Sequence, residues 1–171
     1  MVRIAHILVA IALIAGGLTA APANAAPDWN RLDDPMMGGI GLHMGKLGGA
    51  GLAIKYPLAW YLQLQAAGGV WRQGDTRWHN LGFELHYILR QDDRLRLFLL
   101  GGAGYWHDED RKNGPGGEYW DADSHWNLGF GVGAERLMGD RWAVKADVDF
   151  TYQGDDDSIT IWPQAGIMFY W

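Results

Sequence analysis

Residues Arg141 to Gln153 read RWAVKADVDFTYQ, and their period is two. Trp142, Val144, Ala146, Val148, Phe150 and Tyr152 alternate with Ala143, Lys145, Asp147, Asp149, Thr151 and Gln153. Successive strand side chains point to opposite faces, so one face here is apolar throughout and the other largely polar or charged. His79 to Arg90, HNLGFELHYILR, repeats the pattern, with Leu81, Phe83, Leu85, Tyr87 and Leu89 against Asn80, Gly82, Glu84, His86, Ile88 and Arg90. In His125 to Glu135, HWNLGFGVGAE, Trp126, Leu128, Phe130, Val132 and Ala134 oppose Asn127, Gly129, Gly131, Gly133 and Glu135. Alternation sustained over such lengths signals strands.

Eight such segments lie at about 38–45, 50–56, 59–71, 77–90, 94–106, 118–137, 141–153 and 159–171. Turn chemistry separates them: Leu47-Gly48-Gly49, Tyr56-Pro57, Gln73-Gly74-Asp75, Gln91-Asp92-Asp93, Gly139-Asp140 and Gln153-Gly154-Asp155. His107 to Gly117, HDEDRKNGPGG, reads as a longer connection. No 3.6-residue pattern of useful length appears, so the class is all-β. Hairpin connections throughout imply an eight-stranded antiparallel up-and-down meander, which closes into a barrel and removes the exposed edges.

The beginning of the chain bears on compartment. Met1-Val2-Arg3 is basic, Ile7 to Leu18 is apolar or small, and Ala23-Asn24-Ala25 offers small residues where a signal peptidase reads. Residues 1–25 are therefore expected to be a secretory signal peptide cleaved after Ala25. The alternative, a membrane-spanning helix, needs roughly 20 apolar residues and the run is too short. With no cysteine, lipoprotein anchoring, disulfides and thiolate metal sites are excluded. Removing 25 of 171 residues leaves 146, a single domain. Residues 26–37, APDWNRLDDPMM, read as an extended lead-in, and 38–171 as the barrel. A formal charge of −6 argues against nucleic acid as a partner.

Two barrels fit the alternation. A lipocalin-like carrier is polar outside and apolar inside, whereas an outer-membrane barrel is inverted. Large aromatics favour the second, because Trp60, Trp71, Trp78, Tyr87, Trp142, Tyr152, Trp162 and Trp171 fall towards strand ends, where two interfacial belts would lie. Loop asymmetry agrees. With the N-terminus on the periplasmic side, HDEDRKNGPGG is an outward loop, while the connections at Pro57, Asp92-Asp93 and Gly139-Asp140 are tight inner turns.

The final stretch reads Gln164-Ala165-Gly166-Ile167-Met168-Phe169-Tyr170-Trp171. It fits the last-strand pattern of bacterial outer-membrane proteins (polar, any, Gly, any, any, aromatic or apolar, any, aromatic) at Gln164, Gly166, Phe169 and Trp171, although family members more often finish on Phe. The mature chain resembles the small eight-stranded outer-membrane barrel family that includes the OmpA transmembrane domain, OmpX and the opacity-type proteins. The resemblance is one of pattern and carries no functional motif. It implies a Gram-negative outer-membrane location, an assembly signal in those four residues, and contact with outer-membrane lipids, lipopolysaccharide and the assembly machinery.

In that orientation the lumen holds Lys55, Arg90, Arg96 and Lys145 against Glu84, Glu135, Asp147 and Asp149, with His43, His86, Gln63, Gln65, Asn127, Gln153 and Gln164. Balanced charge in so narrow a barrel reads as a plug, since an unpaired buried charge is too costly. A register centred on Asp140 sets Glu135 opposite Lys145 and makes them the expected ion pair. The alternative is an ion-conducting pore. Gly102, Gly104, Gly129, Gly131 and Gly133 make room for long neighbours; none completes a nucleotide loop.

Some barrels of this size modify lipid A with Ser and His. Ser124 and His125 are sequential, so on a strand they face opposite ways; a loop geometry with Asp108 or Asp123 is the remaining option. Asp108 to Gly114 begins like a calcium loop, but Lys112 and Tyr119 stand where ligands belong. Asp121, Asp123, Asp155, Asp156 and Asp157 complete an acidic rim, open to weak divalent bridging of lipopolysaccharide. The expectation is a structural or surface-interaction barrel, not an enzyme, with no cofactor. A lipid-modifying enzyme and a periplasmic lipocalin-like carrier are the alternatives.

Overall fold

The computed structural model describes residues 38–92, 94–114, 117–139, 141–154 and 158–171; the expected signal peptide and lead-in lie outside them. Eight strands follow in order: β1 (Gly39–Met44), β2 (Ala50–Ala59), β3 (Leu62–Gln73), β4 (Thr76–Gln91), β5 (Leu95–Gly114), β6 (Gly117–Met138), β7 (Trp142–Gln153) and β8 (Ser158–Tyr170). Each pairs antiparallel with the next, and β8 returns to β1 through Gly39↔Tyr170 to Met44↔Ala165. The sheet is a closed up-and-down barrel, as the alternation requires.

Burial fixes the facing. Leu52, Leu85, Phe130, Val144 and Ile161 are exposed on the outer surface, while Lys55, Glu84, His86, Glu135, Lys145, Asp147 and Asp149 are buried inside. The interior is polar and the exterior apolar. Two small apolar clusters, Ala53 with Ala143 and Met168, and Leu47 with Ile88, Phe98 and Leu100, are buried as well.

Four local readings are corrected. Tyr56-Pro57 is not a turn: β2 runs on to Ala59, absorbing the proline at a register irregularity between Pro57 and Ala59, and the chain reverses at Trp60-Tyr61. Pro57 costs one N–H donor, which an irregular ladder tolerates.

Within HDEDRKNGPGG, His107 to Gly114 and Gly117 are strand and not loop. β5 and β6 continue as a ribbon with an unbroken register from Leu95↔Arg136 to Gly114↔Gly117, β4 flanking it up to Thr76↔Asp110. Both faces of this ribbon meet water, so it shows no apolar alternation, and the backbone ladder holds it instead.

Arg90 does not enter the lumen. A β-bulge between Ile88 and Arg90 shifts the register, and the guanidinium, 71% exposed, pairs with Asp92 at 3.3 Å. One extra residue in a strand reverses the facing of everything after it.

Lastly, the outer aromatic belt is thinner than expected. Trp71 pairs in register with Trp78, which shares the inward face of buried Asn80. Trp71, Trp78 and Trp106 stack as a ladder at 5.4 and 6.1 Å, and Trp162 faces inward beside Lys46. These rings line the mouth. Tyr105, Trp126 and Tyr152 remain on the outer face at that end, with Trp60, Tyr87, Trp142 and Trp171 at the other.

Candidate functional site: the polar interior and the mouth

Inward positions of β1, β3, β4, β7 and β8 bring one cluster together. The Lys145 ammonium donates to Glu84 Oε2 and lies 3.2 Å from Asp147 Oδ1. His86 Nε2–H donates to Glu84 Oε2 at 2.8 Å and Gln65 Nε2 to the same oxygen at 3.2 Å. His43 Nδ1–H donates to the Gly49 carbonyl at 2.9 Å, leaving Nε2 to face Lys145 at 3.4 Å. The Gln164 amide is the hub, donating to Glu84 Oε1 at 2.8 Å, to Asp147 Oδ2 at 2.9 Å and to Asp149.

A second cluster lies towards the inner turns. Lys55 Nζ donates to both Glu135 oxygens at 3.0 and 3.1 Å, Arg96 donates to Glu135 Oε2 at 3.3 Å, and the Tyr170 hydroxyl donates to Glu135 Oε1. Glu135 thus accepts from three groups, the satisfaction a buried carboxylate needs. The expected Glu135–Lys145 ion pair is not among these contacts. The two residues are opposite in register, yet Glu135 bonds Lys55 and Lys145 bonds Glu84.

Sequence reading placed the β1–β2 turn at Leu47-Gly48-Gly49 but missed the inward course that Gly45 to Gly49 take. The turn folds into the barrel rather than out into water. Leu47 is fully buried. Its N–H and that of Gly48 donate to Gln164 Oε1 at 3.2 and 3.1 Å, and the Lys46 carbonyl accepts from Trp106 Nε1 at 2.8 Å. Glycines permit this approach. A Cβ on Gly82 would stand 2.2 Å from the Gly48 carbonyl carbon, and one on Gly104 2.7 Å from the Leu47 oxygen. Gly49, at φ +84°, reverses the chain where an L side chain would be strained.

His43, Glu84 and Asp147 offer ligand atoms within 4.8 Å of one another. The Lys145 ammonium already lies against two of the three, so the cation in this nest is a side chain. On the ribbon, Asp108↔Asp123 and Asp110↔Asp121 stack two acidic pairs on one face. Lys112 bonds Asp121, which raises the lysine above its ordinary value. Residues 155–157 lie outside the described residues.

The class defined by this fold is the closed eight-stranded antiparallel up-and-down β-barrel with a polar interior and an apolar exterior. No family model matches the chain, and no curated protein matches it in sequence. Among solved structures it is similar to Ail, the attachment invasion locus protein of Yersinia pestis, at 15% identity and TM-score 0.55, over 79% of this chain and 97% of that one. It is likewise similar to the N-terminal β-barrel domain of Pseudomonas aeruginosa OprF, at 16% identity and TM-score 0.53, over 79% of this chain and 97% of that one.

Proposed function

We propose that this chain is an exported, integral outer-membrane barrel with a structural or surface-interaction role, its lumen closed by paired charges and by the inward turn Gly45 to Gly49. The observation that carries the reading is the inversion of sidedness. Phe130 is 67% exposed while Lys145 and Glu135 are fully buried. In water, so continuous an apolar exterior would aggregate. In a bilayer it is the required surface.

The lumen reading rests on the two networks, which bring Lys55, Arg96 and Lys145 together with Glu84, Glu135, Asp147 and Asp149 in a barrel whose width its own side chains can fill. Gln164, Gly166, Phe169 and Trp171 serve assembly in this proposal, and outer-membrane lipid, lipopolysaccharide and the assembly machinery are its partners. Divalent cations could bridge the acidic ribbon to lipopolysaccharide. The test is fractionation of the full chain with outer membranes together with heat-modifiable gel migration. A protein that stays soluble without detergent would instead be the lipocalin-like carrier.

A further inference from the structure

The β5–β6 ribbon decides what faces Ser124. His107 is opposite Ser124 in the β5–β6 register, and Glu109 follows it on the same face. His107 Nδ1 lies 2.5 Å from Ser124 Oγ, and His107 Nε2 lies 3.2 Å from Glu109 Oε1. An ionised glutamate only accepts, so Nε2 carries the proton and Nδ1 accepts from the serine hydroxyl. Ser124 is one of only two serines in the chain.

From this geometry we propose that Ser124, His107 and Glu109 form a hydrolytic triad, and that its substrate is the fatty-acyl ester of a phosphate-bearing lipid in the outer leaflet. The inference goes beyond the structural role above and rests on it for the lipid-facing surface.

Three features of the surroundings support that substrate. The triad occupies the outer face, about 7 Å along the strand above the Tyr105–Trp126 ring pair. Interfacial aromatics mark the level where acyl chains meet headgroups, so ester carbonyls lie at this height. Below and beside it, a shallow groove runs down the outer face between Leu52, Ile54, Gly68, Val70 and Leu81, ending at His79. The His79 ring lies 4.6 Å from that of His107, so an acyl chain lying in the groove leads to the serine. Arg77 pairs in register with Glu109 and stacks on Trp120 at 4.7 Å, a fixed cation for a phosphate.

The chemistry balances with water alone. Ser124 Oγ attacks the ester carbonyl as its proton passes to His107 Nδ1, and Glu109 holds the imidazolium. The tetrahedral adduct expels the alcohol oxygen, which takes the proton from Nδ1. Water, deprotonated by the same nitrogen, then cleaves the acyl-serine and releases a free fatty acid. The Tyr105 hydroxyl, 3.2 Å from Ser124 Oγ, and His79 are the donors nearest the developing oxyanion.

The full chain, folded in detergent, is treated with a fluorophosphonate probe and mapped by mass spectrometry. An adduct on Ser124 that disappears in His107→Asn and is reduced in Glu109→Gln is expected. A short-chain nitrophenyl ester in the same micelles tests the triad without a bilayer. Fatty-acid release is then measured separately from phosphatidylglycerol vesicles and from vesicles containing lipopolysaccharide, which identifies the lipid source. Ser124→Ala, matched for heat-modifiable migration, should release at least ~100-fold less. Neither an adduct nor ester cleavage above the Ser124→Ala level overturns the triad. Cleavage of the nitrophenyl ester with no release from either vesicle overturns the lipid substrate. Failure of the chain to enter membranes while the ester is still cleaved overturns the membrane reading and leaves the triad standing.

Discussion

Glu135 and Lys145 stand directly opposite one another on β6 and β7, and each turns away to a partner on another strand. Glu135 reaches Lys55 on β2, at 3.0 Å. Lys145 reaches Glu84 on β4. Register fixes where two Cα atoms meet; the charges then choose among everything the lumen brings within reach. Strands remote in sequence are thereby tied across the barrel, 80 residues apart for Lys55 and Glu135.

A double-mutant cycle measures this choice. Glu135→Ala should lower unfolding stability in detergent by ~3–5 kcal/mol, since Lys55 and Arg96 are left buried and uncompensated. Lys55→Ala and Glu135→Ala should couple by more than ~1 kcal/mol, and Glu135→Ala with Lys145→Ala by clearly less. Equal coupling in the two cycles would mean that Glu135 and Lys145 pair after all.

Planar-bilayer recordings should show no stable open channel. With the lumen closed as proposed, both charge networks and the inward turn would stand in the path of an ion. Sustained conductance steps of one size would sink the plugged-lumen proposal.

The inward turn itself can be unseated. Gly82→Ala places a Cβ 2.2 Å from the Gly48 carbonyl carbon, which is backbone and has no rotamer to yield. The Gly45 to Gly49 turn should be displaced, exposing Lys46. Trypsin should cut after Lys46 in the variant and spare it in the wild type, read by mass spectrometry. Identical protection of both proteins would count against the packing of this turn.

How far the sequence carried can be judged from the same residues. Alternation in RWAVKADVDFTYQ was enough for the β7 facing, and a hairpin centred on Asp140 was enough for the Glu135↔Lys145 register. It could not choose ion-pair partners, because a period of two assigns a face and says nothing of height or position around the barrel. Arg90 escaped because a bulge has no residue signature in YILRQ and reverses facing silently. The turn Gly45 to Gly49 looked like an exposed loop because glycine and lysine are loop residues; its burial depends on Gly82 and Gly104, far away in the chain. His107 and Ser124 stayed apart on paper for the opposite reason. A ribbon wet on both faces leaves no hydrophobic pattern to read.

Truncation tests the assembly role of the last strand. Deleting Phe169 to Trp171 removes Tyr170, whose hydroxyl donates to Glu135 and whose backbone pairs with Gly39. The barrel then loses part of its closing seam. Exported but unassembled protein is expected, seen as loss of the heat-modifiable band. Normal yield in outer membranes would show that these residues are not an assembly signal.

The sidedness proposal faces its sharpest test at Phe130. This ring is mid-strand, 67% exposed, and stacked on Phe150 at 5.6 Å. Val144, though also on the outer face, lies only two residues beyond the start of β7 at its inner turn. A lysine there can reach the interface and costs only ~0–1 kcal/mol, whereas at the bilayer midplane it costs ~2–4 kcal/mol. Phe130→Lys should therefore fold into vesicles with lower yield and a lower urea midpoint, and Val144→Lys should be affected far less. In a water-soluble barrel the ordering has no basis, because both positions are surface and surface substitutions stay within about ±0.5 kcal/mol. Two near-neutral lysines would place the apolar face in water and hand the fold to the carrier reading. A graded penalty, larger at Phe130 than at Val144, is the response of a barrel that meets lipid at its waist.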